Sequence, residues 1–104
     1  MLDGTIRILL LAALVQPAYA YDEDEPLSTA ADMSQWCKEM TYGELSTRSD
    51  RVFNWTLSIV TRGNAYVVDG KWRVDGQDVR VECRSRIGAA RKYATYRILA
   101  GDGG

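Results

Sequence analysis

Two cysteines, scattered carboxylates and a late run of arginines are the residues of this 104-residue chain that could do chemistry, and histidine is absent. Without histidine, and with no Gly-x-Ser-x-Gly elbow, a serine or cysteine nucleophile has no obvious base. Hydrolysis by paired carboxylates remains, since it needs only two acids flanking a cleft. Glu39 and Glu44, near the end of an expected helix, are the candidates. Asp69, Asp75 and Asp78 fall at expected turns, where local hydrogen bonding accounts for aspartate. The acidic run Asp22 to Glu25 lacks the alternating ligand spacing of a calcium loop, and two thiols alone make a poor zinc site. No metal or cofactor is expected, and nothing here reads as a catalytic motif.

Cys37 and Cys83 are instead expected to pair with each other, which an oxidising compartment favours. The chain-entropy model assigns the long loop they would close roughly 4 kcal/mol. The basic residues are more informative. Between Arg80 and Arg97 the positive side chains Arg80, Arg84, Arg86, Arg91, Lys92 and Arg97 face Glu82 alone, although the chain as a whole carries a net charge of −1. Strand parity puts Lys71, Arg73, Arg80, Arg84, Tyr93, Thr95 and Arg97 on one sheet face, with Asp75 and Glu82 among them. Such a face suits an acidic partner; Lys71–Glu82 and Glu82–Arg97 ion pairs across an ordinary solvated face are the alternative. Trp36, Trp55 and Trp72 all fall on inward positions and read as core, and Asn54-Trp55-Thr56 is a glycosylation sequon with Asn54 outward.

The elements that must position these residues begin after residue 20. Met1 to Arg7, the apolar run Ile8 to Val15, the break Gln16-Pro17 and the small residues of Ala18-Tyr19-Ala20 have the order of a secretory signal peptide, with cleavage expected between Ala20 and Tyr21. The apolar run is shorter than the ~20 residues a spanning helix needs. Residues 21–26 are expected to be an acidic mobile tip, 27–100 one domain, and 101–104 a flexible glycine-rich end.

Leu27 to Tyr42 reads as an amphipathic helix, capped by Ser28 or Thr29, with Asp32 completing a capping box and Gly43 as its stop. Met33, Trp36, Cys37 and Met40 share its apolar face. From Arg51 the period becomes two: Phe53, Trp55, Leu57 and Ile59 form one face of a strand. Turns are expected at Arg62-Gly63-Asn64, at Asp69-Gly70 and at Gly76-Gln77. The Asp69-Gly70 turn leaves Tyr66 and Val68 outward. The Gly76-Gln77 turn pairs Val74 with Val79, Arg73 with Arg80, Trp72 with Val81 and Lys71 with Glu82. Arg91 to Ala100 closes the sheet with Ala94, Tyr96 and Ile98 inward.

The expected fold class is α+β: one N-terminal amphipathic helix on an antiparallel meander of four to five strands, tied to it by the Cys37–Cys83 disulfide. The function expected is that of a small exported, non-enzymatic binding module, periplasmic or secreted. It would act on a protein or other acidic macromolecule of the envelope or extracellular space, such as an anionic polysaccharide, rather than on nucleic acid, through Lys71, Arg73, Arg80, Arg84, Tyr93 and Arg97. The alternative is a minor carboxylate-dependent hydrolase or small-ligand carrier built on Glu39 or Glu44.

Overall fold

The computed structural model describes residues 22–101, with the side chains of 100 and 101 left out. The signal-peptide expectation and most of the glycine-rich end lie outside the described residues. One helix, α1 (Ala30–Leu45), packs on one face of a four-stranded antiparallel sheet, β1 (Val52–Arg62), β2 (Ala65–Val74), β3 (Gln77–Arg86) and β4 (Thr95–Gly101). The strands lie in sequence order, a meander. No helix among the described residues is long and apolar enough to cross a membrane.

Thr29 caps α1 and forms the capping box with Asp32: Asp32 N–H donates to the Thr29 hydroxyl (3.0 Å) and Thr29 N–H to the Asp32 carboxylate (3.3 Å). The helix runs past Gly43 instead of stopping there. Leu45 beyond it is buried, and an exposed glycine inside a helix costs only about 1 kcal/mol. The stop comes from the next residues, because the Ser46 and Thr47 hydroxyls donate to the carbonyls of Gly43 (3.2 Å) and Glu44 (2.7 Å). Leu27, expected as the first helical residue, lies ahead of the cap. It is fully buried, and its backbone bonds to the loop after β3: Leu27 N–H to Ala89 O and Gly88 N–H to Leu27 O, both 2.8 Å.

Asp69-Gly70 is not a turn. It lies inside β2, which continues unbroken, so Tyr66 and Val68 face α1 with Trp72 and Val74, and Val68 is completely buried. Gly70 is there for space: a Cβ on it would come within 2.6 Å of Trp55 Cζ3, and closer still to Cη2. The hairpin turn is Asp75-Gly76, with φ of 51° and 84°, the primed turn that an Asp-Gly pair favours. The pairing is therefore Val74 with Gln77, Arg73 with Asp78, Trp72 with Val79 and Lys71 with Arg80, two residues from the expected register. A shift of two keeps every side chain on its face, so the inward set Trp72, Val74, Val79, Val81 and Cys83 survives.

β1 contains a bulge between Phe53 and Thr56, where Asn54 has φ 63°. The extra residue turns Phe53 to the outer face, opposite Arg73 and half exposed, while Val52, Trp55 and Ile59 pack toward the core. β4 starts at Thr95, later than expected, because Arg91–Tyr93 form a 3-10 turn; Ala94, Tyr96 and Ile98 do pack against the core.

Cys37 of α1 and Cys83 of β3 are bonded, with Cα atoms 5.9 Å apart and both side chains fully buried. The acidic segment is exposed, yet its backbone is engaged. Lys92 N–H donates to Glu23 O and Arg91 N–H to Glu25 O, and Asp24 pairs with Lys92 (2.8 Å) and Glu25 with Arg91 (3.2 Å).

Candidate functional site

The outer face of the sheet, opposite α1, carries the charge. Register and exposure place Lys71, Arg73, Arg80, Arg84 and Arg97 on it. Tyr93 is not one of its strand residues; it belongs to the 3-10 turn, 70 % exposed, with Lys92 Nζ 5.6 Å from its ring centroid.

Two carboxylates are shared among four of the five cations. Asp78 accepts from Arg73 (2.8 Å) and lies 3.5 Å from Lys71. Glu82 accepts from Arg97 through both Nε (2.9 Å) and a terminal nitrogen (2.6 Å), and lies 3.3 Å from Arg84. The Arg73 hydrogen bond, helped by the charges of Lys71 and Arg73, lowers the Asp78 pKa below the ordinary carboxylate value. The bond from Arg97, followed by that from Arg84, does the same for Glu82. The expected Glu82–Arg97 pair is thus present. The Lys71–Glu82 pair is absent, because the two-residue change of register gives Lys71 to Asp78 and puts Asp69 opposite Glu82.

The same register sets Lys71 directly across from Arg80, and like charges directly opposite one another are unfavourable. Arg80 has no carboxylate partner among the described residues. Thr56 completes the row on the other side of Lys71, and Thr56, Ser58, Asp69, Lys71 and Arg80 line a shallow depression of about 360 Å³. Arg62 and Arg86, on either side of Ala65, add two more exposed guanidiniums without a carboxylate partner among the described residues. Sequence reading missed both, taking Arg62 for a turn residue and ending the basic face at Arg84; continuing the parity of β3 by one step would have found Arg86. The face as a whole retains an excess of positive charge.

The second concave region lies where α1 ends over the far end of the sheet. Glu44, Arg48, Ser49, Asp75 and Tyr96 line a cleft of about 730 Å³ with apolar walls from Leu45, Val74, Val79 and Ile98. The Tyr96 hydroxyl donates to Glu44 Oε1 (2.7 Å), Arg48 donates to Glu44 Oε2, and Ser49 donates to Asp75 (2.7 Å). That hydrogen bond to Glu44 raises the Tyr96 pKa, because a carboxylate acceptor favours the phenol over the phenolate. Glu39 lies elsewhere on α1, accepting from Gln35 (2.8 Å), so the two expected acids do not share a site. Trp36 and Trp72 are buried; Trp55 is half buried, its ring 4.9 Å from that of Trp72. No group of metal-ligating side chains is found among the described residues. The chain matches no family model, no curated protein and no solved structure.

Proposed function

We propose that this protein is a small exported binding module that docks an acidic macromolecule through the outer face of its sheet. The observation that carries this reading is the juxtaposition of Lys71 and Arg80, with Arg80 left without a carboxylate partner among the described residues. A guanidinium and an ammonium held side by side on a rigid sheet offer a carboxylate, sulfate or phosphate both a forked and a point contact. Asp78 and Glu82 hold the neighbouring cations in place and moderate the field, so moderate affinity is expected. Export is supported by the Cys37–Cys83 disulfide, which suits an oxidising compartment, and by the order of residues 1–20.

The test is retention on an immobilised acidic polymer, polyglutamate or heparin, together with capture of the partner from the envelope fraction. Lys71→Glu with Arg80→Glu should abolish retention while leaving the fold intact, since both side chains are exposed. Retention should fall steeply with salt, because exposed charges are screened over about 10 Å at 0.1 M. Unchanged binding by the double variant at every salt concentration refutes the reading. Mass spectrometry of the exported protein should find Tyr21 at its N-terminus.

A second reading, a small-ligand carrier or carboxylate-dependent hydrolase, is favoured by Glu44 and Asp75 lining one cleft. Both acids are already held by Tyr96, Arg48 and Ser49, which suits binding better than proton transfer. Glu44→Gln should impair this function and leave polymer retention unchanged.

A further inference from the structure

The edge strand β1 differs from the other strands in carrying no charge from Val52 to Thr61, and it contains no proline. β2 is its only strand neighbour among the described residues, so its far edge presents unpaired backbone donors and acceptors. Natural edge strands are normally blunted by lysine, proline, shortness or a bulge. Here the bulge at Asn54 blunts one end only. From Thr56 to Arg62 the pairing with β2 is regular, with no further bulge to turn the rim away. Leu57 on the inner side is 39 % exposed and Val60 on the outer side 47 %. The opposite edge, β4, is shorter and carries Arg97 and its own irregularity.

Charge selects what would pair there. Lys71 stands directly behind Thr56 with Arg80 behind it, Arg73 stands behind Phe53, and Arg62 closes the regular run. β1 itself contributes no carboxylate, and Asp69, behind Ser58, is the one acid in the adjoining row. A strand laid against β1, about 4.8 Å away, would put alternate side chains within reach of Lys71 and Arg62 on the outer face. The others would lie beside Leu57 and Ile59 on the inner face. A second copy of β1 would place Arg62 opposite Thr56 and beside Lys71, gathering like charges. A polysaccharide has no regular row of N–H and C=O groups to match the strand edge.

We infer that the partner is an extended protein segment, alternating acidic and apolar residues, which adds to the sheet as a fifth strand along Thr56–Thr61. The inference rests on the reading of the outer face given above and names its partner. Recognition would divide as in other strand-addition complexes: main-chain bonds supply affinity, and alternate side chains supply selectivity.

The probe is an end-blocked ten-residue peptide alternating glutamate with valine; one with lysine in place of glutamate is the control. The glutamate peptide should bind and slow amide exchange at alternate residues of Thr56–Thr61, and the lysine peptide should not bind. Of two adjacent residues in an edge strand, one N–H faces the ladder and the other faces out. Leu57→Pro and Ser58→Pro are therefore both made; the variant that keeps the wild-type melting temperature should lose the peptide. Peptide binding that survives in that variant, yet is lost in Lys71→Glu/Arg80→Glu, overturns strand addition and leaves the outer-face reading standing. Failure to bind the peptide by a chain still retained on polyglutamate has the same meaning. Protection of β1 in the free protein, with a concentration-dependent mass, would make a second copy the occupant and overturn the inference. Loss of both retention and peptide binding in the wild type would overturn both readings.

Discussion

Trp72 Nε1 donates to the hydroxyl of Thr41 across 2.9 Å, inside the layer between α1 and the sheet. The Thr41 hydroxyl in turn donates to Cys37 O (2.7 Å), so an indole of β2, a helix hydroxyl and the backbone of the bridged cysteine form one buried chain. The indole N–H in that chain depends on Thr41. Thr41→Val should cost about 1–3 kcal/mol by leaving the indole N–H unpaired, whereas Thr41→Ser should retain the bond. Urea unfolding of the two variants measures this; equal stability would show that Trp72 finds another acceptor.

Gly70 and Trp55 make a prediction of the opposite kind, one of space. A methyl at residue 70 meets the Trp55 ring and lies 3.1 Å from Val81 Cγ2. Gly70→Ala should therefore destabilise by about 1–3 kcal/mol through overpacking. The cost should shrink in a Trp55→Val background, because the flexible part of the clash has gone. A double-mutant cycle with no coupling between the two sites would contradict the assignment.

The disulfide should be complete in the native protein, with neither Cys37 nor Cys83 labelled by an alkylating reagent until a reductant is added. Cys83→Ser should lose about 2–5 kcal/mol, since it frees the loop and leaves Cys37 buried without its partner. Quantitative labelling without reductant would rule the bond out.

Stability should depend on pH at both ends of the scale. Asp78 and Glu82 have depressed pKa values in the fold, so their contribution is present above the ordinary carboxylate value of about 4 and is lost as pH falls through the depressed values. Tyr96 and Lys92 have raised values, from the bonds to Glu44 and Asp24, so their contribution is present below about 10 and is lost as pH rises through the raised values. Urea midpoints should decline in both directions from neutrality, and Glu82→Gln should flatten the acid limb. A midpoint that rises between pH 4 and pH 2 would contradict the ion-pair assignment.

The helix, the inward face of β3 and the disulfide are legible in the sequence because each rests on periodicity or on a single pairing choice. What misleads is glycine. Gly43, Gly70 and Gly76 carry the same backbone freedom, yet one sits idle in a helix, one makes room for Trp55 and one turns a hairpin. Only the tertiary neighbour, Leu45 or Trp55, decides between these uses, and it lies outside any local window. The five cations Lys71, Arg73, Arg80, Arg84 and Arg97 were legible as one face because the misplaced turn moved the register by two; the 3-10 turn that takes Tyr93 off the strand, and the far row with Arg62 and Arg86, were not. The pairing between β2 and β3 was not legible either: Lys71 opposite Arg80 follows from Asp75-Gly76 forming the turn, which also gives Lys71 to Asp78 in place of Glu82. The Glu82–Arg97 pair between β3 and β4 does not depend on that turn. The bulge at Asn54, which sends Phe53 outward, has no clear sequence signature beyond asparagine's tolerance of positive φ.

The bond between Cys37 and Cys83 also fixes how this protein responds to tension. A pull applied at its two ends travels along α1 as far as residue 37, crosses the sulfur bridge and continues from residue 83, a jump of 46 positions. Everything between, including all of β1 and β2, lies off the load path. Fully stretched, the oxidised chain gives up roughly 150 Å of contour length that the reduced chain would release. The free rim of β1 is therefore part of the segment that carries no load: in the oxidised protein a pull at both ends never acts directly on that hairpin, while in the reduced one it does.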